Sequence, residues 1–136
     1  MTDDLALLLT LRRAAAAIFQ TTALLISGDL TYQHFAVLRA VRDDPGARPV
    51  RICAAVGLKK THTTGYLAYL AARGLIERRF RSGNETRVHI TDKGHFLIAA
   101  YDAELEALAH TYWGDLPEST REAALLLARQ VLERSA

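Results

Sequence analysis

Two lysines and several hydroxyl and imidazole side chains are gathered at the start of one predicted helix, which covers residues 59–73. Lysines at a helix start suit contact with phosphate groups, and threonine and histidine side chains reach base edges or the thymine methyl group. We therefore predict that the exposed face of this helix contacts duplex DNA. The predicted contact residues are Lys59, Lys60, Thr61, His62, Thr64, Gly65 and Tyr69.

Gly65 is the one member of this set without a side chain. Glycine inside a helix costs about 1 kcal/mol relative to alanine. Two interpretations stay open: the position needs close approach to the duplex, or the helix simply tolerates the glycine.

A basic hairpin follows this helix. Residues 75–81 and 85–90 have the pattern of two strands around Ser82-Gly83-Asn84, and asparagine and glycine tolerate the positive φ angles of a tight turn. Because arginine side chains enter a narrow minor groove, we predict that the hairpin contacts DNA beside the helix. The arginines concerned are Arg79, Arg81 and Arg87.

Shorter elements must hold these residues in place. Residues 49–56 form a predicted first helix, Gly57 lies in the turn after it, and Gly74 ends the second helix. An amphipathic helix over residues 30–42 comes before them. Two short helices, a tight turn and a hairpin in this order predict a winged helix-turn-helix. The expected core residues are Phe35, Leu38, Val41, Ile52, Val56, Leu58, Leu67 and Leu70.

The charge of the chain is concentrated in the same region. Residues 48–93 contain ten Lys/Arg and three Asp/Glu, although the net charge of the whole chain is only +2. The segments on either side are mildly acidic. A basic centre that coincides with a helix-turn-helix is typical of a phosphate-binding surface.

The two ends of the chain are predicted to be long helices. Residues 4–26 lack proline and glycine and carry two adjacent apolar rows, and a helix over residues 118–134 is also rich in leucine and alanine. Ser119-Thr120-Arg121-Glu122 matches a capping box at the start of the latter. A third long helix runs from Thr91 to about Tyr112. Such helices either cover the DNA-binding lobe or form a homodimer interface, and their wide apolar surface favours the homodimer.

Length and composition favour one domain over residues 1–136, with a DNA-binding lobe at about 30–94 and dimerisation helices at about 3–27 and 94–135. The fold class expected is mainly α with a small β-hairpin wing. The longest uncharged run is shorter than a membrane helix, the first residues are acidic where a secretory signal is basic, and a single cysteine excludes an internal disulfide. We expect a cytoplasmic protein without a membrane partner.

The chain resembles the MarR family of winged-helix transcription regulators over nearly its whole length. The resemblance implies a homodimer that binds a pseudo-palindromic operator in double-stranded DNA, often represses a neighbouring gene, and releases DNA when a small-molecule effector or an oxidant arrives. The segments that carry the resemblance are residues 30–38, 56–58, 74–78 and 90–94.

The wing departs from the family pattern. Family members usually carry Asp-x-Arg about seven to nine residues before the threonine of a Leu-Thr-x-x-Gly motif. Here Ser82, Gly83 and Asn84 stand in those places, so wing contact is expected from Arg81 or Arg87. The family's arginine in the recognition helix is also absent, because Gly65 stands there.

Other polar residues give weaker patterns. Cys53 fits structural filling better than redox sensing, and the row Asp102, Glu106 and His110 fits a solvated helix face better than a metal site. Tyr32 and His34 fit a ligand cleft and a helix surface equally well. No catalytic arrangement is visible, so we expect no enzymatic activity, cofactor or metal. The alternative function is a winged helix for DNA packaging or protein interaction, without strong sequence specificity.

Overall fold

The computed structural model describes residues 2–24, 30–81 and 85–136, and the side chains of Leu24 and Arg81 lie outside this description. The chain forms two compact units, Met1–Asp102 and Ala103–Ala136. The predicted mainly α fold with a β-hairpin is confirmed, and the single domain over residues 1–136 stays a prediction. In chain order the elements are α1 (Asp3–Leu24), α2 (Tyr32–Asp43), α3 (Pro49–Val56), α4 (Lys60–Ala72), β1 (Ile76–Arg81), β2 (Glu85–Ile90), α5 (Asp92–Trp113) and α6 (Glu118–Ser135).

The core of the first unit is built around α2. Phe35, Leu38 and Val41 are buried, as the spacing of its apolar residues predicts, and Val37 joins them. Phe35 also stacks on Tyr101 of α5, with ring centroids 3.8 Å apart and an angle of 12° between the planes. Full burial of a side chain such as Leu38 stabilises the fold by about 1.5–3 kcal/mol. The helix therefore contacts both the helix-turn-helix and the first half of α5.

The turn between α3 and α4 requires a left-handed residue. Gly57 has φ 69° and ψ 23°, and its N–H donates to the carbonyl of Cys53. Glycine adopts this conformation without a Cβ penalty. On either side of the turn, Ile52, Leu67 and Leu70 are buried, which confirms three of the predicted core positions. Val56 and Leu58 are half-buried.

The end of α4 is a Schellman motif. Gly74 has φ 72°, the N–H of Leu75 donates to the carbonyl of Leu70, and the N–H of Gly74 donates to that of Ala71. The buried Leu75 closes the motif against the core. The prediction that Gly74 ends the second helix is confirmed, and the chain leaves α4 in a fixed direction toward β1.

The two strands form an antiparallel hairpin, which we call the wing. Ile76 pairs with Ile90 at its base and Arg81 pairs with Glu85 at its outer end. The predicted turn Ser82-Gly83-Asn84 lies outside the described residues. Ala47, just before α3, forms a further bridge to Val88 of β2. The wing is thereby fastened to the helix-turn-helix by backbone hydrogen bonds.

The start of α5 is locked to the end of α4. The hydroxyl of Thr91 accepts from the N–H of Gly94 and donates to the carbonyl of Gly74, at 3.1 and 2.6 Å. Gly94 is buried against the residue that precedes β1: a Cβ at this position would lie 2.2 Å from the carbonyl oxygen of Leu75. The threonine and glycine of this segment are therefore needed for the packing of α5 itself.

Helix caps differ from the sequence expectation at two places. The predicted capping box at Ser119–Glu122 is wrong, because α6 begins at Glu118 with Pro117 as its N-cap and no side-chain cap hydrogen bond. With proline as the N-cap, α6 starts two residues earlier than it would with Ser119 as the N-cap. A capping box that was not predicted begins α2, where Nδ1 of His34 accepts from the N–H of Thr31 at 2.9 Å.

An ionic cluster fixes α2 against α5. Asp102 receives hydrogen bonds from Arg39 and from Arg42, the latter at 2.8 Å. Partial burial raises the pKa of Asp102, but the two arginine hydrogen bonds outweigh that effect and hold the pKa below its ordinary value. None of the helices among the described residues has the length and apolar character needed to cross a membrane.

Candidate DNA-binding surface

The start of α4 presents positive charge that no carboxylate neutralises. Lys59 is the N-cap residue and Lys60 the first helical residue, and both are exposed. Neither forms an ion pair within the described part of the chain, and α4 contains no acidic residue. Because the free N–H groups of a helix start also attract anions, this end of α4 suits a phosphate of the DNA backbone.

Four more of the predicted contact residues share the exposed surface of α4. Thr61, His62, Thr64 and Gly65 are all exposed, whereas the intervening Thr63 is buried. The hydroxyl of Thr64 donates to the carbonyl of Lys60 at 2.9 Å, so its oxygen remains available as an acceptor. Beyond the helix's own backbone, no atom lies within 4 Å of the position that a Cβ would take at Gly65. This face therefore offers donors, acceptors and a flat patch for close approach.

Tyr69 departs from the expected exposed position. Its ring is half-buried and lies 4.6 Å from the ring of His34, while the guanidinium of Arg73 covers it at 4.5 Å. Tyr66 meets the same histidine edge-on at 4.7 Å. These contacts link α4 to the start of α2. The DNA contact predicted for Tyr69 stays a prediction, since part of its side chain is still exposed.

Of the predicted wing arginines, two can be described, and both are paired. Arg79 donates to Glu77 at 3.0 Å, and Arg87 pairs with Glu85 while donating to the carbonyl of Gly46 at 3.3 Å. The side chain of Arg81 lies outside the described residues. Exposed ion pairs contribute little, about 0–1 kcal/mol, so Arg79 can exchange its carboxylate for a phosphate. DNA contact by these arginines stays a prediction.

Sequence reasoning passed over two exposed wing residues, Arg78 and Phe80. Phe80 is 76% exposed, and Arg78 is exposed without an ion pair among the described side chains. The signal that would have found them is the two-residue period of a strand, which places both on the face opposite Arg79.

The remaining candidates lie outside this surface. Within the described part of the chain, no group of three or more His, Cys, Asp or Glu side chains is placed to hold a metal ion. In the row Asp102, Glu106 and His110, Asp102 instead pairs with Arg39 and Arg42. Glu106 and His110 line an open hollow of about 660 Å³ in the second unit.

Cys53 is half-buried, and its thiol donates to the carbonyl of Leu58 at 2.9 Å, which is consistent with a packing role. Tyr32 is exposed beside the buried His34.

Comparisons with known proteins agree with this geometry. A sequence model of the MarR family matches residues 28–87, which cover the helix-turn-helix and most of the wing. The transcriptional regulator HosA of Escherichia coli is 28% identical over 106 residues, or 76% of this chain and 78% of HosA.

Solved structures share the fold over most of their length. PcaV, a transcriptional regulator from Streptomyces coelicolor solved with its natural ligand, matches with a TM-score of 0.81 at 20% identity, covering 93% of this chain and 92% of PcaV. BpsR of Bordetella bronchiseptica, whose DNA binding is regulated by 6-hydroxynicotinic acid, matches with a TM-score of 0.79 at 25% identity, covering 90% and 95%.

The chain is a winged helix-turn-helix protein of the transcription-regulator class. Its resemblance to the MarR family, drawn from its sequence, is confirmed, because the family model matches residues 28–87 and HosA is similar to the chain over 106 residues.

Proposed function

We propose that the protein is a sequence-specific transcription regulator that binds duplex DNA through the exposed face of α4 and the wing. The observation that carries the proposal is the start of α4, where Lys59 and Lys60 are exposed and unpaired within the described residues. They stand beside Thr61, His62 and Thr64, whose side chains suit base edges. A regulator of this kind works where the genome is, which favours the cytoplasm.

We further propose that the active form is a homodimer. Both terminal helices expose large apolar side chains, among them Leu8 at 63% and Leu132 at 71%, and α6 has no buried residue. Apolar surface of this extent is typical of an interface. A twofold dimer presents two copies of α4, which fits an operator with two related half-sites about one helical turn apart.

A small-molecule effector is a third part of the proposal. PcaV was solved with its natural ligand, and the DNA binding of BpsR is regulated by 6-hydroxynicotinic acid. In this chain, α2 contacts α4 through His34 and α5 through Arg39 and Arg42. A ligand that favours one position of α2 would therefore change the position of α4 as well.

Fluorescence anisotropy tests whether the protein binds DNA with sequence specificity. The purified protein is titrated onto its own upstream intergenic DNA and onto a scrambled duplex at the same salt concentration. A preference of roughly 10³-fold or more for the native duplex is expected of a specific regulator. Equal, salt-dependent affinity for both duplexes would instead indicate DNA packaging, and absence of binding would indicate a protein-interaction module.

Lys60→Ala tests the docking of α4. We expect this variant to bind both duplexes more weakly and to reduce the slope of log K against log [salt] by about 0.9, the loss of one phosphate contact. Arg129→Ala, which removes one positive charge from an exposed residue of α6, is the control and should keep the wild-type slope. An unchanged slope in Lys60→Ala would contradict phosphate contact at this residue.

A further inference from the structure

The two faces of the wing differ in how their charges are satisfied. The register places Glu77, Arg79, Arg87 and Glu85 on one face, which we call the ion-pair face. Arg79 and Arg87 stand directly opposite each other, an unfavourable arrangement of like charges. Each is neutralised by a carboxylate of its own strand. Both arginines are thus engaged with carboxylates, and Glu85 also pairs with Arg48 at 3.7 Å, so a phosphate must displace a carboxylate to reach either arginine.

Arg87 is further engaged in holding the wing in place. Its guanidinium donates to the carbonyl of Gly46 and pairs with Glu85, and only a third of its side chain is exposed. Turning this group outward to DNA would break both interactions. Its position therefore favours a structural role, in which it ties β2 to the segment before α3.

The opposite face carries Arg78 and Phe80, and we call it the Phe80 face. Arg78 is opposite Val88 and Phe80 is opposite Thr86. Toward the base of the wing, Ile76 and Val88 of this face are buried in the first unit. Farther out, Phe80 is 76% exposed and Arg78 has no ion pair within the described part of the chain. Beyond the core, this face therefore exposes the aromatic ring of Phe80 beside the positive charge of Arg78, which is unpaired among the described side chains.

A partner that suits this pair is apolar at its centre and anionic at its edges. The minor groove of duplex DNA has this chemistry, since its floor and sugar walls accept apolar side chains and phosphates line both rims. Phenylalanine is among the side chains that DNA-bending proteins insert there.

We propose that Phe80 packs into the minor groove beside the site of α4, while Arg78 binds a phosphate at its edge. This inference rests on the proposed function, because it names wing residues through which the same regulator grips its DNA. It also gives the wing a contact that does not depend on an arginine at its tip.

Phe80→Ala and Arg78→Ala test the proposal by anisotropy on the native duplex over a series of salt concentrations. Phe80→Ala should weaken binding by roughly 10- to 100-fold, the equivalent of burying one phenylalanine, with the salt slope unchanged. Arg78→Ala should weaken binding and also reduce the slope by about 0.9. Phe96→Ala is the matched control, because Phe96 is 79% exposed on α5 and lies outside the helix-turn-helix and the wing. Since residues 94–135 are the predicted dimerisation segment, sedimentation must first show that this variant associates like the wild type.

Thermal unfolding of each variant separates loss of contact from loss of fold, and the exposed Phe80 should be replaced without a change in Tm. If the wild type binds the duplex and the affinity of Phe80→Ala is within twofold of that of the wild type, this inference is wrong but the proposed function is not. Equal weakening in Phe80→Ala and Phe96→Ala also overturns the inference, since the effect would then not belong to the wing. A wild-type protein that binds no duplex overturns the inference together with the proposed function.

Discussion

His34 shows how a single side chain connects two elements. Its Nδ1 accepts from the N–H of Thr31 and so caps α2, while its ring contacts Tyr66 and Tyr69 of α4. Accepting at Nδ1 requires that this nitrogen carry no proton, so the proton of the neutral ring is on Nε2. Burial lowers the pKa of His34 below its ordinary value, which favours the same neutral form.

A pH dependence of stability follows from this lowered pKa. The unfolded chain binds a proton at His34 more readily than the folded chain does, so stability rises with pH across that range. The contribution of His34 is complete above its ordinary pKa of 6.5 and is lost as the pH falls through the lower folded value. Acidification from pH 7 toward pH 5 should therefore reduce the free energy of unfolding.

His34→Gln isolates this effect, because glutamine at the same position can complete the capping box but does not titrate. We expect the variant to lose less of its unfolding free energy than the wild type between pH 7 and pH 5 in urea denaturation. The two proteins are compared by how steeply the unfolding free energy changes with pH and not by its absolute value, because glutamine also removes the ring contacts with Tyr66 and Tyr69. Parallel slopes would show that another group causes the acid sensitivity.

Single residues also mark the limit of prediction from sequence. The exposed face of α4 follows from helical spacing, and Lys59, Lys60 and Thr61 lie where that spacing predicts. Tyr69 is on the same helix, but its burial depends on His34 of another helix. Helical spacing contains no information about that contact.

At the scale of elements, the junction between β1 and α5 is where glycine matters most. A Cβ on Gly94 would lie 2.2 Å from the carbonyl oxygen of Leu75, which is backbone and has little freedom to move. Gly94→Ala should therefore destabilise the protein by about 1–3 kcal/mol. Guanidinium denaturation measures the change.

Gly65→Ala is the contrasting variant. Gly65 lies inside α4 with no atom near the position of a Cβ, so alanine should stabilise the protein by about 0.5–1 kcal/mol. The same variant decides between the two interpretations of this glycine. Reduced DNA affinity in a more stable protein would indicate close approach to the duplex, whereas unchanged affinity would indicate tolerance. Similar stability changes in the two glycine variants would refute the packing argument at Gly94.

Elements were more predictable than the contacts between them. The helices, the hairpin, and the turn at Gly57 follow from local spacing and from residues that stop helices. The start of α6 at Glu118 was predicted correctly, but its cap was not, because Ser119 lies inside the helix and Pro117 is the N-cap. The clash at Gly94 joins positions that are far apart in the sequence, and no local pattern reports it.

At the scale of the whole molecule, the terminal helices determine whether two chains associate. Ala124, Ala128 and Val131 recur at helical spacing on one face of α6. If this face forms the homodimer interface, a charge placed on it should separate the chains. Val131→Asp is therefore expected to give monomers at concentrations where the wild type is a dimer, as measured by sedimentation velocity.

Gln130→Asp is the control, because it adds the same charge to the neighbouring residue, which points about 100° away around the helix. It should remain dimeric. If Val131→Asp also sediments as a dimer, the interface lies elsewhere. Sequence supplies the apolar surface that favours a dimer, but the arrangement of two chains depends on contacts that a single chain does not contain.

The outer edge of β1 has a consequence for handling this protein. Within the described residues, β2 is paired on both sides, by β1 and by Ala47, whereas β1 is paired on one side only. An open strand edge with an exposed phenylalanine is a template for aggregation, and charged side chains are the usual protection. Glu77, Arg78 and Arg79 supply the charges that protect this edge, and Arg78 is also part of the proposed DNA contact. Variants that remove charge from β1 will be more prone to self-association, and their apparent DNA affinities are meaningful only for samples shown to be free of aggregates.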